Sequence, residues 1–186
     1  MNNIRILMHL LNHKEQKFTI NQIAKALKIN YRIAHQNIKS LEKEKLIRTE
    51  RAGNALLCSL TYKFNEKIFT AEYQRTQKLL KNKTFKIIQR RFSEIQQNFI
   101  LLLFGSHAKN SANKHSDIDL LAITDNEKQI ITAADLIPKI HLTTTNYKTF
   151  LKMIQSKEFT VGSEAMKNNI ILIGIEDYYR LLKNAK

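Results

Sequence analysis

The feature that most constrains this chain is a run of six apolar residues, 99–104, followed at once by Gly105 and Ser106. A continuous apolar run bounded by turn residues is typical of a strand that is buried on both faces. Ten residues later the chain reads Asp117-Ile118-Asp119, and the apolar residues 120–123 predict a second strand. The pattern therefore predicts a buried sheet with a Gly-Ser turn and an acidic pair at the strand ends.

The turn and the acidic pair are residue types that can bind a metal-bound phosphate. Gly105 lets the backbone approach a phosphate closely, and Ser106 adds a hydroxyl and an N–H where a helix begins. Because side chains alternate along a strand, we expect Asp117 and Asp119 on one face, about 7 Å apart. Two such carboxylates can share divalent cations that bridge a triphosphate. Each feature alone also fits a common turn or a surface strand end, and the combination is more specific.

At these residues the chain resembles the polymerase-β-type nucleotidyltransferase superfamily, most of all its minimal members, over about residues 84–182. The resemblance implies binding of a magnesium-bound nucleoside triphosphate, with Mg²⁺ or Mn²⁺ as the cofactor. It also implies transfer of a nucleotidyl group, expected to be AMP, to a protein or small-molecule acceptor, with release of pyrophosphate. It assigns the triphosphate to Gly105, Ser106 and Lys109, and catalysis and the metal to Asp117 and Asp119.

Two positions depart from the pattern of the minimal members. Asn110 stands where they commonly have glycine, a mild change because asparagine tolerates a left-handed backbone. The third metal-site carboxylate normally lies within an apolar-acidic-apolar triplet on the next strand, and here that triplet is Ile140-His141-Leu142. A neutral imidazole adds no negative charge, and magnesium prefers oxygen ligands. The acidic residues left as substitutes are Asp125, Asp135 and Glu164.

Position 141 leaves two functions open. The intact Gly-Ser and Asp-x-Asp motifs favour an enzyme, whereas His141 favours a transcriptional regulator whose degenerate domain only senses a nucleotide or mediates oligomerisation.

The first 65 residues predict three helices and a hairpin. Apolar residues recur at helical spacing over residues 3–12, after Thr19 and after Asn30, and both of these residues are of types that cap helices. Residues 48–60 form two strand-like segments around Gly53-Asn54, a pattern that predicts a basic hairpin.

The segments 19–29 and 38–47 resemble the winged-helix transcription-regulator superfamily, over about residues 3–63. The resemblance implies that the third helix enters the major groove of duplex DNA and that the hairpin contacts the phosphate backbone. Protein docking is the alternative role for such a module. The residues expected to contact DNA are Tyr31, Arg32, His35, Gln36 and Lys39 on the helix, and Arg48 and Arg51 on the hairpin.

The charge of the chain agrees with a polyanionic partner. Lys and Arg number 31 against 16 Asp and Glu, and residues 1–65 hold 12 of the cations and 4 of the acids. We therefore expect an α+β protein with a winged helix-turn-helix over 1–65, a helical connector over 66–83 and a nucleotidyltransferase-like region over 84–186. The sheet of that last region is expected to be mixed and flanked by helices.

Cellular location and partners follow from what the sequence lacks and from the resemblances. Cys58 is the single cysteine, so no intramolecular disulfide forms, and we expect its side chain in the small core behind the hairpin. No apolar run approaches the length of a membrane span, so we expect a cytoplasmic protein with no membrane partner. The expected partners are a nucleoside triphosphate, duplex DNA and an acceptor. Resemblance to nucleotidyltransferases that act as antitoxins makes a toxin protein one such acceptor, and a homodimer is left open.

Overall fold

A computed structural model describes residues 1–61, 63–155 and 160–184, so the predicted region 84–186 includes residues outside the described part. The chain divides into two units, Met1–Gln74 and Arg75–Lys186. Helices and strands are mixed in both units, and the predicted α+β class is confirmed. None of the described helices has the length and apolar character needed to cross a membrane.

The first unit combines three helices with a small antiparallel sheet of order β1-β3-β2. Strands β2 and β3 form the predicted hairpin, which Ala52 and Ala55 close around a two-residue turn. Gly53 in that turn has a φ of +58°, a left-handed conformation that favours glycine. The elements are α1 (Asn2–Leu11), β1 (Phe18–Thr19), α2 (Ile20–Leu27), α3 (Tyr31–Lys43), β2 (Ile47–Ala52) and β3 (Ala55–Leu60).

Helices α2 and α3 each begin at a capping residue. The Thr19 side chain accepts the N–H of Gln22, and the Gln22 side chain accepts the N–H of Thr19, which completes a capping box. Asn30 caps α3 by accepting the N–H of Arg32 at 2.8 Å. The predicted caps are confirmed. Cys58 is fully buried in this unit, and burial raises the pKa of its thiol to about 11.

Residues 66–93 form two helices. Helix α4 (Glu66–Leu79) crosses the boundary between the units, and α5 (Lys83–Ser93) begins after a short break. Asn82 starts α5 because its side chain accepts the N–H of Thr84 at 2.9 Å. A side chain that hydrogen-bonds nearby backbone in this way competes with continuation of the preceding helix.

The second unit is built on a mixed four-stranded sheet of order β6-β5-β4-β7. Strands β5 and β6 are parallel, and β4 pairs antiparallel with both β5 and β7. All four residues of β4 are fully buried, as the apolar run predicts. The strands are β4 (Ile100–Leu103), β5 (Ile118–Ile123), β6 (Ile140–Thr145) and β7 (Ile170–Ile173).

Helices flank this sheet. Phe85, Ile88 and Phe92 of α5 pack with Ile130 and with alternate side chains of the central strands in one core. Helix α10 packs against β4 and α8. The remaining helices of the unit are α6 (Gly105–Ala108), α7 (Lys128–Asp135), α8 (Tyr147–Gln155), α9 (Val161–Lys167) and α10 (Ile175–Asn184).

Candidate functional site

The turn after β4 lies directly against Asp119 of β5. The Phe104 N–H donates to the Asp119 carbonyl at 3.0 Å and so extends the β4–β5 pairing to the turn. Gly105 has a φ of +67°, and a Cβ atom placed on it would lie 2.1 Å from Asp119 Oδ2. Any other residue at this position would force the Asp119 carboxylate to move. The glycine of the sequence motif is therefore needed both for its conformation and for the close approach of Asp119.

Helix α6 begins at this turn and is a single turn long. The Ser106 carbonyl accepts the N–H of Ser111 at 3.0 Å, which folds the following loop back onto the helix. Asn110 lies in that loop with a φ of +56°, so the residue in the position of the family's glycine adopts the left-handed conformation expected of it.

The two carboxylates of the Asp-x-Asp motif are placed differently. Strand β5 begins at Ile118, so Asp119 lies on the strand and is half-buried, whereas Asp117 precedes the strand and is exposed. In the part of the chain that the structure describes, no three His, Cys, Asp or Glu residues form a group that could hold a metal ion. Magnesium is commonly held by one or two carboxylates together with substrate phosphates, so this oxygen donor pair fits a nucleotide-bound cation.

His141 occupies the place beside Asp119. The parallel pairing of β5 and β6 sets the two residues in register, and His141 Nδ1 lies 3.3 Å from Asp119 Oδ1. The suggested acidic substitutes are elsewhere: Asp125 follows the opposite end of β5, and Asp135 is exposed at the end of α7. Glu164 of α9 is engaged by a lysine. Beside Asp119, the strand therefore has an imidazole in the position where the family pattern has a third carboxylate.

Lys109 is the partner of Glu164. Its Nζ atom lies 2.5 Å from Glu164 Oε1, with the lysine side chain 43% exposed and the glutamate 21% exposed. From the sequence, Lys109 was expected to contact a phosphate, and this ion pair was not predicted. The two residues are 55 positions apart, and no local pattern connects them.

Two histidines near the turn differ in environment. His107 of α6 packs edge-on against Phe85 of α5, with 5.4 Å between the ring centroids. Its Nε2 atom is buried and has no hydrogen-bond partner within the described residues. His115 is exposed in the loop before β5, and its backbone N–H donates to the Asn113 side chain.

On α3 of the first unit, the residues expected to contact DNA are not equally available. Tyr31, Arg32 and Gln36 are exposed, whereas His35 and Lys39 are partly covered. Lys39 Nζ lies 2.6 Å from Glu42 Oε2. Hydrogen bonds from Lys39 and Thr49 lower the pKa of the Glu42 carboxyl below its ordinary value. Of the two cations on this helix that are expected to contact DNA, Arg32 is thus the one without an acidic partner in the described part of the chain.

A polar groove of about 590 Å³ lies between the hairpin and the beginnings of α2 and α3. Arg51 lines it from the hairpin, and Tyr31 lines it from α3. Arg48 lies outside this lining and is paired with Glu50 at 3.1 Å. The remaining lining residues are Thr19, Ile20, Asn21, Gly53, Asn54, Ala55 and Leu56.

Comparison with protein families identifies one match. The model of the family described as polymerase beta, nucleotidyltransferase matches residues 82–178, just over half of the chain. This stretch contains α5, the Gly-Ser turn, the Asp-x-Asp motif and His141. No curated protein sequence matches the chain.

Solved structures similar to the chain include two of Lactococcus lactis ZitR variants. One is 29% identical, with a TM-score of 0.35, and the match covers 48% of this chain and 60% of that one. The other, an apo form, is 28% identical with the same TM-score of 0.35, and it covers 50% of this chain and 67% of that one. This chain thus spans 60% of the length of the first ZitR chain.

Proposed function

The chain belongs to the polymerase beta nucleotidyltransferase family, and we propose that its second unit binds a nucleoside triphosphate with a divalent cation and transfers the nucleotidyl group to an acceptor hydroxyl. In that reaction the acceptor oxygen bonds to the α-phosphorus as the bond to the pyrophosphate oxygen breaks. The acceptor proton is released, and pyrophosphate leaves. The acceptor class that we propose is a protein or a small molecule.

The observation that carries this proposal is the contact of Asp119 with Gly105. A Cβ atom at Gly105 would lie 2.1 Å from the carboxylate, so the turn and the acidic strand form one structural element. A phosphate held by the backbone and hydroxyl of Gly105-Ser106 would therefore lie next to an aspartate.

The residues of the chain then have distinct roles. Gly105 and Ser106 hold and orient the triphosphate, and Asp117 and Asp119 hold Mg²⁺ or Mn²⁺ against it. The cation, when bound, neutralises charge that develops on the phosphate oxygens. Lys109 can add a positive point charge to the phosphates once it leaves Glu164. Asp119 alone is fixed by strand pairing, so it sets the position of the site.

A second candidate function is regulation without catalysis, and His141 is the observation that favours it. Its ring nitrogen lies 3.3 Å from Asp119 in place of a carboxylate oxygen. A second, acceptor-side cation would then have one fewer anionic ligand. A domain that lacks this ligand can bind the nucleotide and act as a nucleotide sensor without transferring the nucleotidyl group rapidly.

We further propose that residues 1–65 form a winged helix-turn-helix that binds duplex DNA, joined by a connector over 66–83 to a transferase region over 84–186. The support is the fold of the first unit, in which two capped helices precede a hairpin, and the exposed side chains of Tyr31, Arg32 and Gln36 on α3. The groove beside Arg51 can accept a backbone phosphate, because two helix N-termini and a guanidinium line it.

Titration calorimetry with ATP, GTP, CTP and UTP in magnesium tests the nucleotide site, and pyrophosphate release with a labelled triphosphate tests transfer. We expect one or more triphosphates to bind, and Asp119→Asn to remove most of the binding. Asp125→Asn is the matched control, because it removes an equal charge from the opposite end of the same strand. Absence of binding to all four nucleotides would show that the motif is a relic of the fold.

Binding without pyrophosphate release, in either cation and with DNA present or absent, would support the regulator over the enzyme.

A further inference from the structure

Helix α5 has a basic face that the nucleotide site does not use. Lys83, Lys86 and Arg90 are exposed along one side of the helix, at positions i, i+3 and i+7. Residues 81–91 contain five lysines and arginines and no acid, whereas the whole of 75–186 contains 18 cations and 10 acids. Helix α5 holds four of these cations and no acid, so half of the net charge of +8 in the second unit lies on this one helix.

The cations on this face are available for a ligand. Among the described residues, no carboxylate lies within ion-pair distance of Lys83 or Lys86, and Arg90 has a single exposed contact, 3.6 Å from Glu94. Some lysines elsewhere in the chain are engaged by acids, such as Lys109 by Glu164 and Lys67 by Glu44.

The arrangement does not stabilise the helix. Like charges three or four residues apart repel one another, and Lys83 lies in the first turn, where the helix dipole favours an anion. A polyanionic ligand would offset both effects.

We propose that this face of α5 binds the phosphate backbone of a single-stranded nucleic acid. The helical rise spaces the three cations about 4.5 and about 6 Å apart along the axis, so they form a row that a strand of phosphates can follow. Ile87, which is 59% exposed within the same face, offers an apolar contact to an unstacked base. This surface lies in the second unit and does not depend on DNA binding by the first.

The structure favours nucleic acid over the two other partners of a basic surface. A helix that binds a membrane inserts its apolar face, but the apolar residues of α5 opposite the cations, Phe85, Ile88 and Phe92, are buried in the core. Protein interfaces are depleted in lysine, whereas this face has lysine at two of its three charged positions.

Helix α5 itself contacts the helix that opens the nucleotide site, and it does so through its buried side. Phe85 of α5 packs against His107 of α6, and α6 begins at Gly105. Lys83, Lys86 and Arg90 lie on the opposite side of α5 from this contact.

The test is fluorescence anisotropy of the full chain with a labelled single-stranded DNA of roughly 20 nucleotides, which exceeds the site size of one small domain. The variant combines Lys83→Gln, Lys86→Gln and Arg90→Gln, which keep helix propensity. The matched control combines Lys128→Gln, Lys148→Gln and Lys183→Gln, three exposed cations elsewhere in the unit.

We expect the α5 variant to bind on the order of 10-fold more weakly at low salt. Its slope of log affinity against log salt should fall by about 2, because each lost phosphate contact removes about 0.7 from it. The control variant should match the wild type. Equal affinities and slopes for the α5 and control variants would overturn the proposal.

Two further measurements separate this proposal from others. The double variant Arg32→Ala/Lys39→Ala weakens only binding that depends on the first unit. If that variant lowers affinity and the α5 variant does not, the α5 proposal fails and the DNA contact of the first unit stands. The reverse result supports the α5 proposal, and the same double variant measured with duplex DNA tests the first-unit contact. Loss of binding to phosphatidylserine vesicles in the α5 variant, with oligonucleotide binding unchanged, would assign the face to membranes and overturn the proposal.

Discussion

His141 Nδ1 lies 3.3 Å from Asp119 Oδ1, across the parallel pair formed by β5 and β6. The imidazole is 71% exposed and the carboxylate 27% exposed, so solvent and a ligand can reach the histidine. Position 141 is where sequence reasoning looked for a third carboxylate. The two candidate functions, nucleotidyl transfer and regulation without catalysis, therefore differ in what they require of the side chain at position 141.

We expect His141→Asp to raise the rate of nucleotidyl transfer in magnesium by about 10-fold, because a restored carboxylate would contribute about 1.4 kcal/mol of transition-state stabilisation. Manganese should raise the wild-type rate more than the variant rate, since manganese accepts nitrogen ligands more readily than magnesium. Pyrophosphate release in each cation measures both effects.

His141→Asn is the control for this prediction, because it removes the imidazole without adding a charge and should give no gain. A wild-type rate of about 1 per second or faster, with no gain from His141→Asp, would show that another group completes the site.

Gly105→Ala should abolish triphosphate binding. A methyl group at this position would meet Asp119 Oδ2 at 2.1 Å, and the carboxylate would have to move. Gly53→Ala is a matched control, because Gly53 has a similar φ of +58° but no atom within 4 Å of its Cβ position. Both variants should lose roughly 1–2 kcal/mol of stability from the left-handed backbone.

Calorimetry and thermal melting distinguish the two glycine effects. Only Gly105→Ala should lose the nucleotide, and normal triphosphate affinity in that variant would contradict the role assigned to the turn.

The sequence predicted the parts of the site that depend on local patterns. The apolar run predicted β4, the capping types of Thr19 and Asn30 predicted two helix starts, and Asn110 adopts the left-handed backbone expected of it. These features rest on residue types within a few positions of one another.

The sequence could not predict features that depend on distant contacts or very short elements. Strand β1 has two residues, too few for an alternating pattern, and it exists because Phe18 pairs with Cys58. The ion pair of Lys109, just after α6, with Glu164 of α9 joins segments that only the fold brings together. The side chain of Asp117 is likewise exposed because β5 begins one residue later, a boundary that no residue type marks.

Arg32→Ala should weaken binding of duplex DNA more than Lys39→Ala. Arg32 is exposed and Lys39 is held by Glu42 at 2.6 Å, so only the arginine can contact a phosphate without breaking an ion pair. A mobility-shift titration at low salt measures the affinities. Lys43→Ala, which removes an exposed cation from the opposite end of α3, is the control.

A folded variant Arg32→Ala that binds duplex DNA as tightly as the wild type would contradict the role assigned to Arg32, and failure of the wild type to shift any duplex DNA at low salt would favour protein docking by the first unit.

Acidification should destabilise the first unit through His9. The ring packs against Phe18 with 4.8 Å between centroids, and its Nε2 atom is buried with no hydrogen-bond partner in the described residues. Burial, and then the charge of His13, lower the pKa of His9 below its ordinary value of 6.5. The unfolded chain therefore takes up the proton first. The stability from the neutral ring is present above pH 6.5 and is lost as the pH falls toward the lowered pKa.

Melting temperatures between about pH 7.5 and about pH 5.5 test this prediction. We expect the melting temperature of His9→Phe to change less with pH than that of the wild type. The control variant His115→Asn, at an exposed histidine, should show the same pH dependence as the wild type. An unchanged pH dependence in His9→Phe would assign the acid sensitivity to another group.

Glu164→Gln should tighten triphosphate binding by about threefold. In the wild type Lys109 must leave Glu164 Oε1, 2.5 Å away, before it can reach a phosphate, and an exposed ion pair of this kind contributes little to stability. Lys109→Ala should weaken binding, and adding Glu164→Gln to it should have no further effect. Glu176→Gln is the matched control, because it breaks an exposed ion pair with Arg180 on α10. Calorimetry that finds triphosphate affinity unchanged in Lys109→Ala would show that this lysine serves only to hold α9.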